Sequence, residues 1–305
     1  MSALRLVIAT RQSQLALWQA NFVSARLREA HPGLTVELLG ITTRGDRWLS
    51  SPLAEVGGKG LFIKELEEAL ASGTADVAVH SVKDVPAELP EGFAMPVIAY
   101  REDPRDVLVS RDGVTLAGLH AGARVGSSSL RRQAQLLARR PDLLIEPIRG
   151  NVDTRLRKLD DGDYDALVLA AAGLARLGLA GRASEYLATD DCLPAAGQGA
   201  LGIECRAGDG RVRALLEPLE DAQVAACVCA ERTVSAVLGA DCTAPLAAHA
   251  TPLGQGVMLQ SRLATTDGRK ILEARGEGAD PVAVGKSVAE SLLAQGAAEV
   301  LGGGD

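Results

Sequence analysis

Within residues 75–86, A-D-V-A-V-H-S-V-K-D-V-P, four polar side chains crowd together: His80, Ser81, Lys83 and Asp84. The apolar run 77–79 leads straight into them, and Pro86 stops regular structure after them. A short apolar run reads as a buried parallel strand. In open α/β sheets ligands sit beyond the carboxyl ends of strands. A carboxylate and an ammonium placed there are candidates for chemistry on a bound molecule. The plainer reading is a solvated loop with a structural Lys83–Asp84 pair.

The arginines add a second signal. Of 32 basic residues only six are lysines. Guanidinium groups grip carboxylates and phosphates bidentately, which ammonium groups do not. Arg11, Arg131, Arg132, Arg149, Arg155 and Arg176 all fall at, or within a turn of, a predicted strand end or helix start. Two segments, A-T-R-Q-S-Q-L-A-L and G-S-S-S-L-R-R-Q-A-Q-L, put hydroxyls and an arginine where a strand turns into a helix. The free N–H groups and positive dipole end there suit an anion. Guanidinium groups converging on one rim repel one another unless an anion with several carboxylates or phosphates lies among them. Dispersed over solvated helix faces, the same arginines would need no ligand.

The third signal is Cys242, in a small-residue loop between Asp241 and Pro245. An exposed loop thiol serves as a nucleophile or an attachment point, or is incidental. Cys205 lies in an apolar run and reads as core, and Cys227 and Cys229 face apart on a helix.

The chain has 305 residues, enough for two or three domains. It is 47% hydrophobic and 23% charged, as globular proteins are. With eight aromatic residues, its cores must be built from Leu, Val, Ile and Ala. A net charge of -7 argues against nucleic acid as a partner. An odd number of cysteines without C-x-x-C argues against disulfides and against a metal site. The first residues lack a signal-peptide core, and the longest apolar run, 166–175, is too short to span a bilayer. A cytoplasmic protein with no membrane partner is expected. The run G-G-K-G-L-F lacks the G-K-[ST] ending of a phosphate-binding loop, so nucleotide binding there is rejected.

Periodicity supplies the elements that must position these side chains. Residues 4–9 read as a strand, and Leu15, Trp18, Phe22 and Ala25 as the face of a helix that Ser13 caps. Strands follow at 35–41, 77–79 and 97–100, with a helix at 61–71 and a glycine-rich lid at 43–60. Residues 101–105 read as a crossing into a second segment, with strands at 124–126, 143–148 and 164–169. Helices at 130–139 and 152–159 and one opening at Gly173 complete it. Residues 193–199 cross back to a strand at 200–205, and 215–221 read as a linker. Beyond it lie a helix at 224–238, three strand-like runs and a helix at 281–300. Strands alternating with helices imply parallel sheets with crossover helices. The expected fold is α/β: two hinged, doubly wound lobes, periplasmic-binding-protein-like, plus a small C-terminal α+β domain. The expected division is 1–99 with 200–217, then 100–199, then 218–305.

Seven motifs in order resemble the porphobilinogen deaminase (hydroxymethylbilane synthase) family. They are I-A-T-R-Q-S-Q-L-A-L at 8–17, G-G-K-G-L-F-I-K-E-L-E at 57–67 and H-S-V-K-D-V-P at 80–86. S-S-S-L-R-R-Q-A-Q-L at 127–136, I-R-G-N-V-D-T-R-L-R-K-L at 148–159, P-A-A-G-Q-G-A-L-G-I-E-C-R at 194–206 and the loop cysteine follow. The resemblance implies head-to-tail condensation of four porphobilinogen molecules into hydroxymethylbilane, with release of ammonia. It implies a dipyrromethane cofactor, thioether-linked to Cys242, and a monomer. The pyrrole acetates and propionates would be the carboxylates that the arginines ask for. By the same resemblance Asp84 is the catalytic carboxylate. Arg11, Ser13, Lys83, Ser127, Ser129, Arg131, Arg132, Arg149, Arg155 and Arg176 bind carboxylates of cofactor or substrate. Lys59, Phe62, Ser81, Gly150 and Gln198 match positions at or beside that site. Two departures stand out: Glu55 replaces a frequent lysine of the lid, and Gly239-Ala240-Asp241 precedes the cysteine where a Gly-Gly pair is common. The competing reading is a non-catalytic, two-lobed anion-binding protein, which has no need of Asp84, Cys242 or a third domain.

Overall fold

The computed structural model describes residues 4–43, 63–241 and 243–302. The chain forms two compact units, Met1–Arg101 with Ala200–Ala225, and Glu102–Gly199 with Ala226–Asp305. Lys59, Phe62, Cys242 and all of the expected lid except Thr43 lie outside the described residues.

In the first unit β1 (Arg5–Arg11) feeds α1 (Gln14–Ala30), then β2 (Thr35–Ile41), α2 (Lys64–Ala71), β3 (Val77–Ser81) and β4 (Phe93–Arg101). The second unit begins with β5 (Asp106–Ser110), β6 (Arg124–Gly126), α3 (Leu130–Arg139) and β7 (Leu144–Glu146). It continues through α4 (Val152–Asp160), β8 (Ala166–Ala170), α5 (Ala171–Arg176) and β9 (Glu185–Tyr186). The chain returns to the first unit as β10 (Ala200–Arg206) and α6 (Gly210–Leu216), and α7 (Ala222–Leu238) carries it back. It ends with β11 (Leu246–Leu253), β12 (Gly256–Ala264), β13 (Ile271–Gly278), α8 (Pro281–Ala294) and α9 (Ala297–Gly302).

The two five-stranded sheets share one plan. The first has the order β2-β1-β3-β10-β4 and the second β7-β6-β8-β5-β9. In each, three strands run parallel, and the fourth is antiparallel to both its neighbours. That antiparallel strand is in both cases the first one after the chain changes unit. Side chains alternate across a strand, so each sheet buries both faces. Leu6, Ile8, Val77 and Val79 pack with Val23 and Leu27 of α1, while Val7, Ala9 and Ala78 pack with Leu66 and Leu70 of α2. Val125 and Val168 meet Leu136 of α3, while Val107, Val109 and Leu167 meet Leu156 and Leu159 of α4. Both sheets are therefore doubly wound, as expected. The C-terminal residues form an antiparallel β11-β12-β13 meander whose Leu259, Leu263 and Leu272 pack with Val234 of α7 and with Val288 and Leu292 of α8.

Several local readings change. The helix face drawn from Leu15, Trp18, Phe22 and Ala25 is not the buried one. Ala16, Gln19, Ala20, Val23, Ser24 and Leu27 are buried, and Ala25 is exposed. Small Ala16 and Ala20 let α1 approach the sheet, while Trp18 stacks on Phe22 at 5.3 Å and Phe22 meets Tyr100 at the same distance. β3 runs on through His80 and Ser81 because Gly202 and Leu201 of β10 continue the ladder past the apolar side chains. Residues 215–221 are not a plain linker, since α6 and a 3₁₀ turn at Glu217–Leu219 occupy most of them. The final helix splits in two at Gly296, whose φ of 95° no continuous helix accommodates.

Candidate active site

The first unit presents its polar groups at the carboxyl ends of β1 and β3. Arg11 closes β1, and the Ser13 hydroxyl caps α1 by accepting the Ala16 N–H at 3.3 Å. Ser81 closes β3, its hydroxyl accepting from the buried Gln19 amide at 2.7 Å. The chain then makes one 3₁₀ turn, Val82–Asp84, in which the Val85 N–H donates to Val82 O at 3.0 Å. Val82 and Val85 are buried, Lys83 is half-buried and Asp84 is exposed. Two apolar anchors thus hold a turn whose polar residues face outward.

The second unit presents the other residues around the N-termini of α3 and α4, with Arg176 closing α5. Ser129 caps α3, and the buried Ser127 hydroxyl accepts the Ser129 N–H at 3.3 Å. Asn151 caps α4 through Thr154 N–H at 2.9 Å. Gly150, with φ at 112°, offers its carbonyl to Arg155 Nε at 2.8 Å. Gly150 therefore aims Arg155. Arg149 is half-buried and makes no side-chain hydrogen bond to the described residues. Arg176 is buried and donates from Nη2 to Gly199 O at 2.6 Å.

Arg131 and Arg132 belong to a buried cluster whose centre the sequence did not reveal. That centre is Asp106, the first residue of β5 and completely buried. Its Oδ2 accepts from Arg131 Nη2 at 2.8 Å and from the Cys192 thiol at 3.3 Å. Its Oδ1 accepts from Arg132 Nη2 at 2.7 Å and Nε at 3.0 Å, and from Gln198 Nε2 at 2.9 Å. Arg131 also donates to Leu193 O at 2.6 Å, and Arg132 to Val168 O at 2.9 Å. Burial alone would push the Asp106 carboxyl up, but the two arginines outweigh it and hold the carboxyl well below the usual range. Burial, then the Asp106 charge, push the Cys192 thiol up to about 12. Cys192 is therefore a neutral donor inside the cluster. The one sequence cue to Asp106 was an acidic residue opening the apolar run D-V-L-V-S, which R-E-D-P-R disguises as part of a charged crossing.

Two guanidinium groups against one carboxylate leave an excess of one positive charge in a buried place. Arg131 Nε has no hydrogen-bond partner among the described residues although it is buried. Uncompensated buried charge is costly, so the donor set fits an anionic group supplied from outside.

The comparisons with known proteins decide which family this is. Residues 6–214 match the model described as "Porphobilinogen deaminase, dipyromethane cofactor binding domain", and residues 225–294 match its C-terminal domain. The chain belongs to the porphobilinogen deaminase family. It is similar to the porphobilinogen deaminases of Thiobacillus denitrificans and Burkholderia thailandensis. Identity to the first is 56%, covering 97% of each chain; to the second it is 55%, covering 97% of this chain and 92% of the relative. Among solved structures it is similar to a probable amino-acid ABC transporter extracellular-binding protein from Bacillus subtilis. That likeness has a TM-score of 0.46 and 11% identity over 72% of this chain and 90% of the other. The chain is thus an enzyme of the porphobilinogen deaminase type, and its cofactor is dipyrromethane, whose binding domain residues 6–214 match. Among the described residues no helix is long and apolar enough to cross a membrane.

Proposed function

We propose that this enzyme condenses four porphobilinogen molecules head to tail into hydroxymethylbilane, releasing ammonia at each addition, as a step of tetrapyrrole (haem) biosynthesis. The observation that carries the reading is the buried Arg131–Arg132–Asp106 cluster with its surplus positive charge. Ser127, Ser129, Arg131, Arg132, Arg149, Arg155 and Arg176 hold carboxylates of cofactor and substrate from the second unit, and Arg11, Ser13, Ser81 and Lys83 from the first. Gln198 and Gly150 act through their neighbours, since their polar groups are spent on Asp106 and on Arg155. Lys59 and Phe62 complete the site from outside the described residues, and 43–60 act as its lid. The dipyrromethane, held by a thioether to Cys242, supplies the primer on which pyrroles are added.

Asp84 performs the chemistry. Its carboxylate, exposed on an anchored turn, accepts hydrogen bonds from pyrrole N–H groups. It stabilises the positive charge that develops on porphobilinogen as ammonia departs, and it takes up or returns protons at the ring nitrogen. Electrostatic stabilisation of this kind requires the charge to be fixed before the reaction, which the buried Val82 and Val85 on either side provide.

The same reading divides the chain into 1–99 with 200–217, 100–199 and a C-terminal domain from 218, and has it work as a cytoplasmic monomer. The exposed large apolar residues, such as Leu38, Leu144, Tyr186 and Leu253, are spread over separate elements, in keeping with a monomer. An intact mass of the purified chain tests the assignment. A covalent adduct of two pyrrole units, lost in Cys242→Ser, is expected; an active protein at its unmodified mass overturns both cofactor attachment and cysteine.

A further inference from the structure

The polar end of β3 is gripped on both of its faces. Val77, Val79 and Ser81 point toward α1, while Ala78 and His80 point toward α2, as strand alternation requires. On the first face the buried Gln19 amide donates to Ser81 Oγ at 2.7 Å. On the second, His80 Nε2 lies 2.8 Å from Glu204 Oε2 of β10, and these side chains are 5% and 0% exposed. A fully buried carboxyl group needs a hydrogen-bond partner. Glu204 Oε1 has no hydrogen-bond partner among the described residues, so the imidazole contact is what holds this group. Burial, then the Glu204 charge, raise the Glu67 carboxyl of α2, so a second acid senses the same place. Gly202 stands opposite His80 in the ladder, and a Cβ there would run into Met95 and Val82. The pair is therefore built into a tight space.

From Ser81 to Asp84 there is a single 3₁₀ turn with no slack. Whatever fixes the strand end fixes the turn. One bond on each face resists rotation of the strand about its own axis, which neither bond does by itself. We propose that the buried His80–Glu204 pair is a positioning device for Asp84, setting with Gln19–Ser81 the direction in which its carboxylate points. The proposal rests on Asp84 being the catalytic carboxylate.

The experiment compares His80→Ala, His80→Gln and Asp84→Asn with the parent holoenzyme, measuring kcat and KM for porphobilinogen and covalent loading by intact mass. His80→Ala is expected to lower kcat about ten- to a hundred-fold, the cost of a misplaced reacting group, with KM and loading unchanged. In His80→Gln, whose amide still donates to Glu204, most of kcat returns. Parental kcat in His80→Ala beside an inactive Asp84→Asn overturns the positioning role alone. Full turnover in Asp84→Asn overturns the catalytic assignment, and this proposal with it. If His80→Ala does not fold, Glu204→Met, which removes the bond without stranding a buried carboxyl group, decides: a fall in kcat with KM and loading kept supports the role, and parental kcat or a joint loss of kcat, KM and loading overturns it.

Discussion

Asp106 Oδ1 lies 2.7 Å from Arg132 Nη2, with the carboxylate fully buried and the guanidinium 8% exposed. A second guanidinium, that of Arg131, sits 2.8 Å from the other oxygen. One internal carboxylate thus aims two arginines and neutralises one of them.

Removing that internal carboxylate therefore exposes the cost of the arrangement. Asp106→Asn leaves two buried cations uncompensated, and breaking a buried pair in this way costs about 3–5 kcal/mol. The measurement is the urea midpoint of variant and parent. The folded-state carboxyl is depressed, so its contribution is fully present above about pH 4, the unfolded value. It is lost as the pH falls toward the folded value. The gap between variant and parent should hold from pH 5 to 8 and narrow only in stronger acid. A gap below about 1 kcal/mol at neutral pH would contradict the buried-pair reading.

Cys192 should be chemically silent in the native enzyme. Its thiol is fully buried and pushed up to about 12, so the thiolate that attacks electrophiles is scarce at pH 8. Peptide mapping after maleimide treatment is expected to find Cys192 unlabelled in buffer and labelled in denaturant. Rapid native labelling would mean that the cluster opens readily.

How much of this was legible in the sequence follows from the range of the forces involved. α3 and α4 were readable because Ser129, Asn151 and the apolar spacing are local signals. The two-residue β9 at the sheet's edge and the Asp106-led β5 were not, since strand pairing is defined by partners far along the chain: β5 pairs with β8 some sixty residues away. The same limit governs the site. Arg131 and Arg132 announce an anion by their type and place, whereas the carboxylate that orients them comes from 25 residues upstream. Gln198 matched a family motif, but only the fold shows its amide turned inward onto Asp106.

Asp84 gives a contrasting prediction, because its surroundings are open. Its side chain is exposed and the turn is held by Val82 and Val85, so Asp84→Glu and Asp84→Asn should fold and load cofactor as the parent does. Displacing a reacting group by an ångström costs about a hundred-fold, and a loss of that order in kcat is expected for Asp84→Glu. Asp84→Asn, which removes the charge, should lose more. Single-turnover assays with porphobilinogen check this, and near-parental rates in either variant would remove Asp84 from the chemistry.

Gln198 separates an orienting residue from a ligand contact. It is fully buried, donates to Pro104 O at 2.6 Å and to Asp106 Oδ1 at 2.9 Å, and follows Gly197, whose N–H donates to the buried Glu231 of α7 at 2.7 Å. Truncation in Gln198→Ala leaves the Pro104 carbonyl short of a donor and Asp106 short of one of its five. A buried group left unsatisfied costs about 1–3 kcal/mol, so the urea midpoint should drop accordingly. If the amide instead touched substrate, KM for porphobilinogen would rise steeply while stability stayed put. The expected pattern is the reverse: a clear loss of stability with KM changed only to the extent that Arg131 and Arg132 are less well aimed. In Gln198→Glu the amide that donates to Asp106 Oδ1 and Pro104 O becomes a carboxylate facing two acceptors, with Arg131 beside it at 3.5 Å. Like charges and unmet acceptors in a buried place are costly, so its urea midpoint should fall at least as far as that of Gln198→Ala; a midpoint at the parent's would show that the amide is not what holds Asp106.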